Sequence, residues 1–223
     1  MIVYMTQGQK TVLSRITVEG LPLHYLSVGR GYFARRRALH CLRQLYDSGV
    51  RRCICADVYL LSLAKQVDIT SYPVLPLRLA LLDGLLDILC PGGLQNAAAV
   101  LRCGPGGEET ARAALTVLAR RARYVALEPS GQTGLERWLL AQYGLAAGCC
   151  GHTPAVTVHL GPAPEKQGAA VYLGPDCAAH QQVTYAAPGL GPWPVTEQLL
   201  AALTAAERWE PSEIHVVAVT SRA

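Results

Sequence analysis

The sequence has few charged residues. Asp, Glu, Lys and Arg make up 16% of its 223 residues, against about a quarter in an average globular protein. Because 51% of the residues are hydrophobic, the chain has enough apolar side chains for a sizeable core, and the composition excludes disorder. Long apolar runs are missing too. The most apolar stretch, 75–90, contains Arg78, Asp83 and Asp87 and is too short to span a bilayer, so we expect no membrane partner.

Several catalytic and metal-binding motifs are also absent. The sequence contains no Cys-x-x-Cys pair, no P-loop, no Gly-x-Ser-x-Gly turn and no His-Glu-x-x-His motif. No secretory leader opens the chain, so we expect a cytoplasmic protein whose eight cysteines are reduced and buried as small hydrophobic side chains. His159 falls within a predicted strand and is expected as a satisfied core residue. These absences do not distinguish an enzyme from a non-catalytic protein, and we assign no catalytic residue.

The closest grouping of cysteine and histidine lies at 149–152, in a predicted loop that reads Cys-Cys-Gly-His. A zinc site would combine one of these cysteines with His152, Cys177 and His180. Adjacent cysteines rarely bind one metal together, and no further ligand stands out nearby. We therefore expect no metal site.

Strands and helices alternate along most of the chain. Glycine- and proline-rich turns separate apolar runs from amphipathic stretches, an order typical of an α/β protein with a mostly parallel sheet. The Pro-Gly-Gly turn at 91–93 predicts a boundary between an N-terminal α+β portion, 1–93, and an α/β portion, 94–223. One continuous domain is the alternative.

The pattern of apolar residues also predicts individual strands and a helix. Ile2–Met5 and Val12–Val18 flank a turn and predict an antiparallel piece at the N-terminus. The run Val216–Val219 predicts a central strand covered on both faces. A helix is predicted from Pro76 to about Cys90, packed against the sheet or against a second subunit of a homo-oligomer.

The sharpest local signal is a glycine turn that opens a predicted helix. After an apolar run, the chain reads Cys103-Gly104-Pro105-Gly106-Gly107. Backbone N–H groups in such a turn approach a phosphate or carboxylate closely, and the helix N-terminus adds partial positive charge. Glu128 ends the next predicted strand, where an acidic residue binds ribose hydroxyls in dinucleotide sites. The predicted cofactor-binding residues are Gly104, Gly106, Gly107 and Glu128.

This order of strand, glycine turn, helix, strand and acidic residue resembles the Rossmann dinucleotide-binding fold. The turn at 103–107, with Glu128-Pro129-Ser130 later, is similar to the first two motifs of S-adenosylmethionine-dependent methyltransferases. The resemblance covers about 35 of the 223 residues. It implies a Rossmann-like, mostly parallel sheet and either NAD(P) or S-adenosylmethionine as cofactor. Two positions depart from these patterns: Glu109 replaces the third glycine of Gly-x-Gly-x-x-Gly, and Arg102 stands where methyltransferases carry an acid.

The same turn also fits a tight connection that binds nothing, since Glu108 and Glu109 would repel a phosphate at this helix start. We therefore carry two hypotheses. The first is a protein that binds a nucleotide-like cofactor at the turn. The second is a non-catalytic α/β module for assembly or partner binding. An open crevice above the turn favours the first hypothesis, and a crevice filled by Trp138 or Trp193 favours the second.

Positive charge is concentrated near the N-terminus. Residues 1–60 have a net charge of +6 and residues 61–223 a net charge of −2. Arg30 lies in a second glycine turn, followed by Arg35-Arg36-Arg37, whose side chains point about 100° apart on a helix. We expect a solvated helix start or a small anionic or nucleotide-like ligand. Sparse aromatic residues give little support for nucleic-acid binding.

Overall fold

Two units account for the chain in the computed structural model, which describes residues 1–221 except 105–106, 149–152, 162–168, 175–176, 188 and 192. The N-terminal unit comprises Met1–Pro73 and Ala187–Glu213, and the C-terminal unit comprises Val74–Ala186 and Ile214–Ala223. The sequence-based division into portions 1–93 and 94–223, with one continuous domain as its alternative, stays a prediction.

The elements follow in chain order. The N-terminal unit begins with β1 (Ile2–Gln7), β2 (Val12–Val18), β3 (Leu21–Val28), α1 (Tyr32–Asp47), β4 (Arg52–Ile54), α2 (Val58–Lys65) and β5 (Thr70–Ser71). The C-terminal unit contains α3 (Leu75–Ala80), α4 (Leu82–Leu89), β6 (Ala98–Arg102), α5 (Glu108–Arg121), β7 (Tyr124–Glu128), α6 (Thr133–Tyr143), β8 (Val156–His159), β9 (Ala170–Tyr172), α7 (Cys177–His180) and β10 (Gln181–Ala186). The chain then adds α8 (Glu197–Ala205) and a 3-10 turn (Pro211–Glu213) to the N-terminal unit, and β11 (His215–Ser221) to the C-terminal unit.

A five-stranded sheet in the order β2-β3-β1-β4-β5 organises the N-terminal unit. β2 and β3 form an antiparallel hairpin closed by Glu19-Gly20, both with the positive φ that a twisted two-residue turn needs. The predicted antiparallel hairpin is thus confirmed, although its arms are β2 and β3 rather than β1 and β2. β1 pairs in parallel with β3 and β4, and β4 pairs in parallel with β5, so most of this sheet is parallel.

A four-stranded parallel sheet in the order β7-β6-β8-β9 forms the centre of the C-terminal unit. The chain passes from β6 to β7 on one side and then to β8 on the other, the reversal typical of Rossmann-like sheets. The predicted fold class is therefore confirmed: an α/β chain whose C-terminal sheet is parallel and flanked by helices. Ligands of such sheets bind beyond the carboxyl ends of the strands, near the reversal.

The helices α4, α5 and α6 share one hydrophobic cluster with one face of this sheet. Leu101 on β6 and Leu127 on β7 face that cluster, together with Leu115 and Leu118 of α5. Side chains alternate along a strand, so Arg102 and Glu128, the last residues of β6 and β7, point to the opposite face. This alternation decides which polar groups lie near the helices.

The final strand does not occupy the place that its apolar sequence predicts. β11 pairs with β10 in a separate, antiparallel two-stranded sheet. Val217 is 53% exposed, whereas Val216 packs against α4 at Gly84. The prediction of a doubly covered central strand at Val216–Val219 is therefore wrong. A short apolar run does not distinguish a buried parallel strand from one strand of an antiparallel ribbon.

The predicted helix 76–90 is divided at Leu81 into α3 and α4. Asp83 and Asp87 lie on one exposed face of α4, and Arg121 at the end of α5 binds both carboxylates at 2.6 Å. Exposed ion pairs of this kind contribute at most about 1 kcal/mol each. The longest described helix, α1, has 16 residues, and no described helix combines the length and apolar character needed to cross a bilayer.

A buried arginine connects α3 to the end of the parallel sheet. Arg78 is only 1% exposed. Its Nη1 donates a hydrogen bond to the carbonyl of Tyr172 at 2.7 Å, and its Nη2 donates one to the carbonyl of Gln181 at 3.2 Å. The Gln181 side chain, itself buried, donates to the carbonyl of Ala170 at 2.7 Å. These bonds satisfy backbone groups where the chain passes from β9 to β10.

We expect Arg78→Met to lower the free energy of unfolding by about 2–4 kcal/mol, because two buried carbonyl groups lose their donors. Urea unfolding followed by circular dichroism measures the change. Arg120→Met, on the exposed side of α5, is the matched control and should cost less than about 0.5 kcal/mol. Equal stability of the two variants would contradict this role for Arg78.

Candidate functional site

Gly104 lies just past the carboxyl end of β6, against the backbone that follows β8. A Cβ atom at Gly104 would lie 2.4 Å from Cα of Gly161 and 2.5 Å from its nitrogen, closer than packed atoms approach. The amide of Cys103 donates to the carbonyl of Glu128 at 2.7 Å and fastens the same region to the end of β7. Packing alone therefore requires glycine at position 104.

Gly107 ends the turn and begins α5. Its φ of +90° is a conformation that side-chain-bearing residues rarely adopt. The N-cap residues of α5 and α6, Gly107 and Gln132, form no side-chain cap hydrogen bond. Gly106 lies outside the described residues, and its part in ligand binding stays a prediction.

An open cavity of about 460 Å³ lies beside this turn. Its wall is formed by the chain after β6 and by the beginnings of α5 and α6. The lining residues that matter most are Cys103, Gly104, Gly107, Glu108, Thr133 and Gly134. The structure thus places two of the sequence-predicted residues, Gly104 and Gly107, at one cavity on the carboxyl edge of the parallel sheet.

Neither tryptophan singled out by the sequence lines this cavity. Trp138 packs edge-to-face on Tyr143, with ring centroids 5.7 Å apart. Trp193 packs within the N-terminal unit against Tyr4 and Tyr25. The crevice is open, the arrangement that favours a ligand over a filled turn.

Glu108 is an acidic residue that lines the cavity. Its Oε1 accepts a hydrogen bond from Nη2 of Arg112, one turn further along α5, at 2.6 Å. The same oxygen is 3.5 Å from the position that a Cβ of Gly134 would take, at the start of α6. In the sequence Glu108 is only a group that repels phosphate. The signal in the sequence that it lines the cavity is its place directly after the glycine turn.

Glu128 lies at the same edge of the sheet but faces away from α5 and α6. It is in register with Arg102, and its Oε2 accepts a hydrogen bond from Nε of Arg102 in an ion pair. Leu127 contacts the helices, so strand alternation turns Glu128 to the other face. Glu128 does not line the cavity, and its contact with a ribose stays a prediction.

A row of polar side chains crosses the carboxyl edge of the sheet on the face opposite the cavity. Strand register aligns Glu128, Arg102, His159 and Tyr172 on β7, β6, β8 and β9. The His159 ring stacks on Tyr172 at 4.9 Å, and Tyr172 stacks on His180 at 5.2 Å. His159 is buried as expected, but its Nδ1 has no hydrogen-bond partner among the described residues.

The Cys/His grouping at Cys149, Cys150 and His152 lies outside the described residues. Of the two other candidate ligands, Cys177 is buried and His180 stacks on Tyr172. Within the described ranges, no group of three His, Cys, Asp or Glu side chains is placed to hold a metal ion.

The N-terminal arginine cluster lies on the surface of the N-terminal unit. Arg30 and 35–37 are exposed, at the beginning of α1, and none of them forms an ion pair with a described residue. Gly31 precedes the helix with φ of +98°. This arrangement fits a solvated helix start, and an anionic partner at this place stays a prediction.

Comparison with known proteins assigns no family. No family model matches the sequence, and no curated protein matches it. A solved structure with some similarity is the crystal structure of L-tryptophan dehydrogenase from Nostoc punctiforme, with a TM-score of 0.32 and 7% identity over 63% of this chain. The match spans 44% of the dehydrogenase chain.

We expect His159 to make stability depend on pH. Burial, reinforced by Arg102 and His180 and opposed by Glu128, lowers the pKa of His159 to about 4. Between pH 6.5 and 4 the unfolded chain binds a proton that the folded chain does not. The free energy of unfolding should therefore fall as pH falls through this window, by up to about 3 kcal/mol.

Urea unfolding at several pH values measures this dependence, and His159→Gln should reduce it. His24, whose pKa is lowered by burial and by Arg15, titrates in both proteins, so the difference between them isolates His159. Parallel pH profiles for the two proteins would contradict this prediction.

We expect Gly104→Ala to lower the free energy of unfolding by about 1–3 kcal/mol, because its Cβ would overlap the backbone at Gly161. Gly92→Ala is the matched control, since a Cβ at Gly92 meets nothing within 4 Å. Chemical denaturation of both variants measures the costs. A Gly104→Ala protein as stable as Gly92→Ala would contradict the close approach of the backbones at Gly104 and Gly161.

Proposed function

We propose that the C-terminal unit binds a nucleotide-like small molecule in the cavity between α5 and α6. The observation that carries this proposal is an open cavity of about 460 Å³ at the carboxyl edge of a parallel sheet, with the backbones of Gly104 and Gly107 in its wall. Ligand cavities typically measure about 300–1,000 Å³, so this one has room for a nucleoside-sized group.

The location supports the proposal independently of the size. The cavity lies where the chain leaves β6, the strand beside which the order of connections reverses. Glycine at 104 and 107 brings backbone, rather than side chains, to the cavity wall. The resemblance to nucleotide-binding folds implies that this turn, with Gly106 between the two glycines in the sequence, presents backbone N–H groups to the ligand.

The cofactor classes implied by the resemblance are NAD(P) and S-adenosylmethionine, and both contain a nucleoside. The predicted ribose contact at Glu128 is retained as one arm of the proposal. For this contact to form, the ligand must extend past the edge of the sheet to the opposite face, or the ion pair between Glu128 and Arg102 must separate. No set of catalytic residues is proposed.

A thermal-shift screen against NAD, NADP, S-adenosylmethionine, S-adenosylhomocysteine, ATP and GTP tests the proposal. A ligand at about one hundred times its dissociation constant adds about 2.7 kcal/mol of stability, a shift of several degrees for a chain of this size. We expect at least one of these compounds to produce such a shift.

A variant that blocks the cavity locates the binding. Among the described residues, a Cβ at Gly134 meets only Glu108 Oε1, at 3.5 Å, so Gly134→Leu should fill the cavity mouth without unfolding α6. It should abolish the shift, whereas Gly92→Leu, away from the cavity, should preserve it. A shift that survives Gly134→Leu would place the ligand elsewhere. A flat screen with a concentration-dependent melting temperature would instead support the assembly module.

A further inference from the structure

We infer that the cavity recognises the hydroxyl groups of a ribose through Glu108 and disfavours a phosphate at the same place. This inference rests on the proposed function and narrows its ligand class to a nucleoside, or a nucleoside with a neutral or cationic 5′ substituent. It replaces the Glu128 arm of that proposal, because the acceptor carboxylate then lies on α5, in the cavity, rather than at the end of β7.

One oxygen of the Glu108 carboxylate is bonded, and the other has no donor among the described residues. Arg112 binds its Oε1 at 2.6 Å, in a contact along α5 between two side chains that are each about half exposed. No described residue donates a hydrogen bond to its Oε2. A carboxylate held in this way can accept hydrogen bonds from ligand hydroxyl groups, and bonds to a charged acceptor are the stronger class.

The positive ends of both helices already have negative charge beside them. Glu108 and Glu109 lie in the first turn of α5, and Glu136 lies in the first turn of α6. Glu136 also accepts a hydrogen bond from the amide of Gly131 at 3.3 Å. These carboxylates satisfy the preference of helix N-termini for anions, so less of it remains for a ligand phosphate.

The cavity wall also lacks the side chains that commonly pair with phosphate. None of the described residues that line it is lysine or arginine, and Arg112 is engaged with Glu108 outside the lining. A phosphate would therefore meet the Glu108 carboxylate with no basic side chain in the described wall, since Arg112 lies outside the lining and is paired with that carboxylate. A ribose hydroxyl would meet an acceptor.

Calorimetric titration with a matched series tests this inference. The probes are adenosine, 2′,3′-dideoxyadenosine and adenosine 5′-monophosphate, together with the same three compounds of guanosine. For at least one base, the ribonucleoside should bind about tenfold more tightly than its dideoxy analogue, the effect of losing hydrogen bonds to a charged group. It should also bind more tightly than its monophosphate.

Two glutamate variants test whether the effect belongs to one carboxylate. Glu108→Gln should lower ribonucleoside affinity about tenfold and reduce the penalty for the monophosphate. Glu109→Gln, with the same charge change one residue away and outside the lining, should leave the ribonucleoside affinity and the preference over the dideoxy analogue unchanged. Melting temperatures close to the wild type confirm that the variants are folded.

The outcomes separate this inference from the proposed function. Tighter binding of a monophosphate than of its nucleoside would overturn the inference while leaving the proposed function intact. A loss of affinity in Glu128→Gln, but not in Glu108→Gln, would place the diol at the end of β7 and also overturn it. If no nucleoside, nucleotide or dinucleotide binds, the proposed function fails, and this inference fails with it.

Discussion

The contact between Gly104 and Gly161 is the constraint on which the carboxyl edge of the C-terminal sheet depends. Two backbones approach so closely there that a Cβ at position 104 would overlap Cα of Gly161. Position 104 must therefore be glycine, and the chain enters α5 through Gly107 at positive φ. The space left between the starts of α5 and α6 is the cavity, so the cavity follows from how the strand ends pack.

The parallel C-terminal sheet could be predicted because each of its strands is a short apolar run bounded by turns. Leu101 and Val158 illustrate the pattern: both are buried in strands whose neighbours are buried as well. The pairing partners could not be predicted in the same way. β1 pairs with β3 and β4, and β11 pairs with β10. Such choices depend on contacts between distant residues, which local periodicity does not encode.

The glycine turn of the candidate site could be recognised because its requirements are local. A positive φ at Gly107 and a close backbone approach at Gly104 both favour glycine directly. The orientation of the acidic groups could not be recognised, since it depends on which face of the sheet the helices cover. Leu127 contacts them, and Glu128 consequently faces Arg102. The row containing His159 appears only once the register of four strands is known.

Side chains alternate along a strand, so the two faces of the C-terminal sheet carry different chemical groups at its carboxyl edge. On the helix side, the Glu108 carboxylate lies in a cavity whose described lining has no basic side chain. On the other side, the Glu128 carboxylate is paired with Arg102 beside a buried His159. A shift of one residue in β7 would exchange the faces of Leu127 and Glu128 and bring a second carboxylate to the helix side. What an acidic residue after a glycine turn can bind is thus set by the face it occupies, and not by its distance along the sequence.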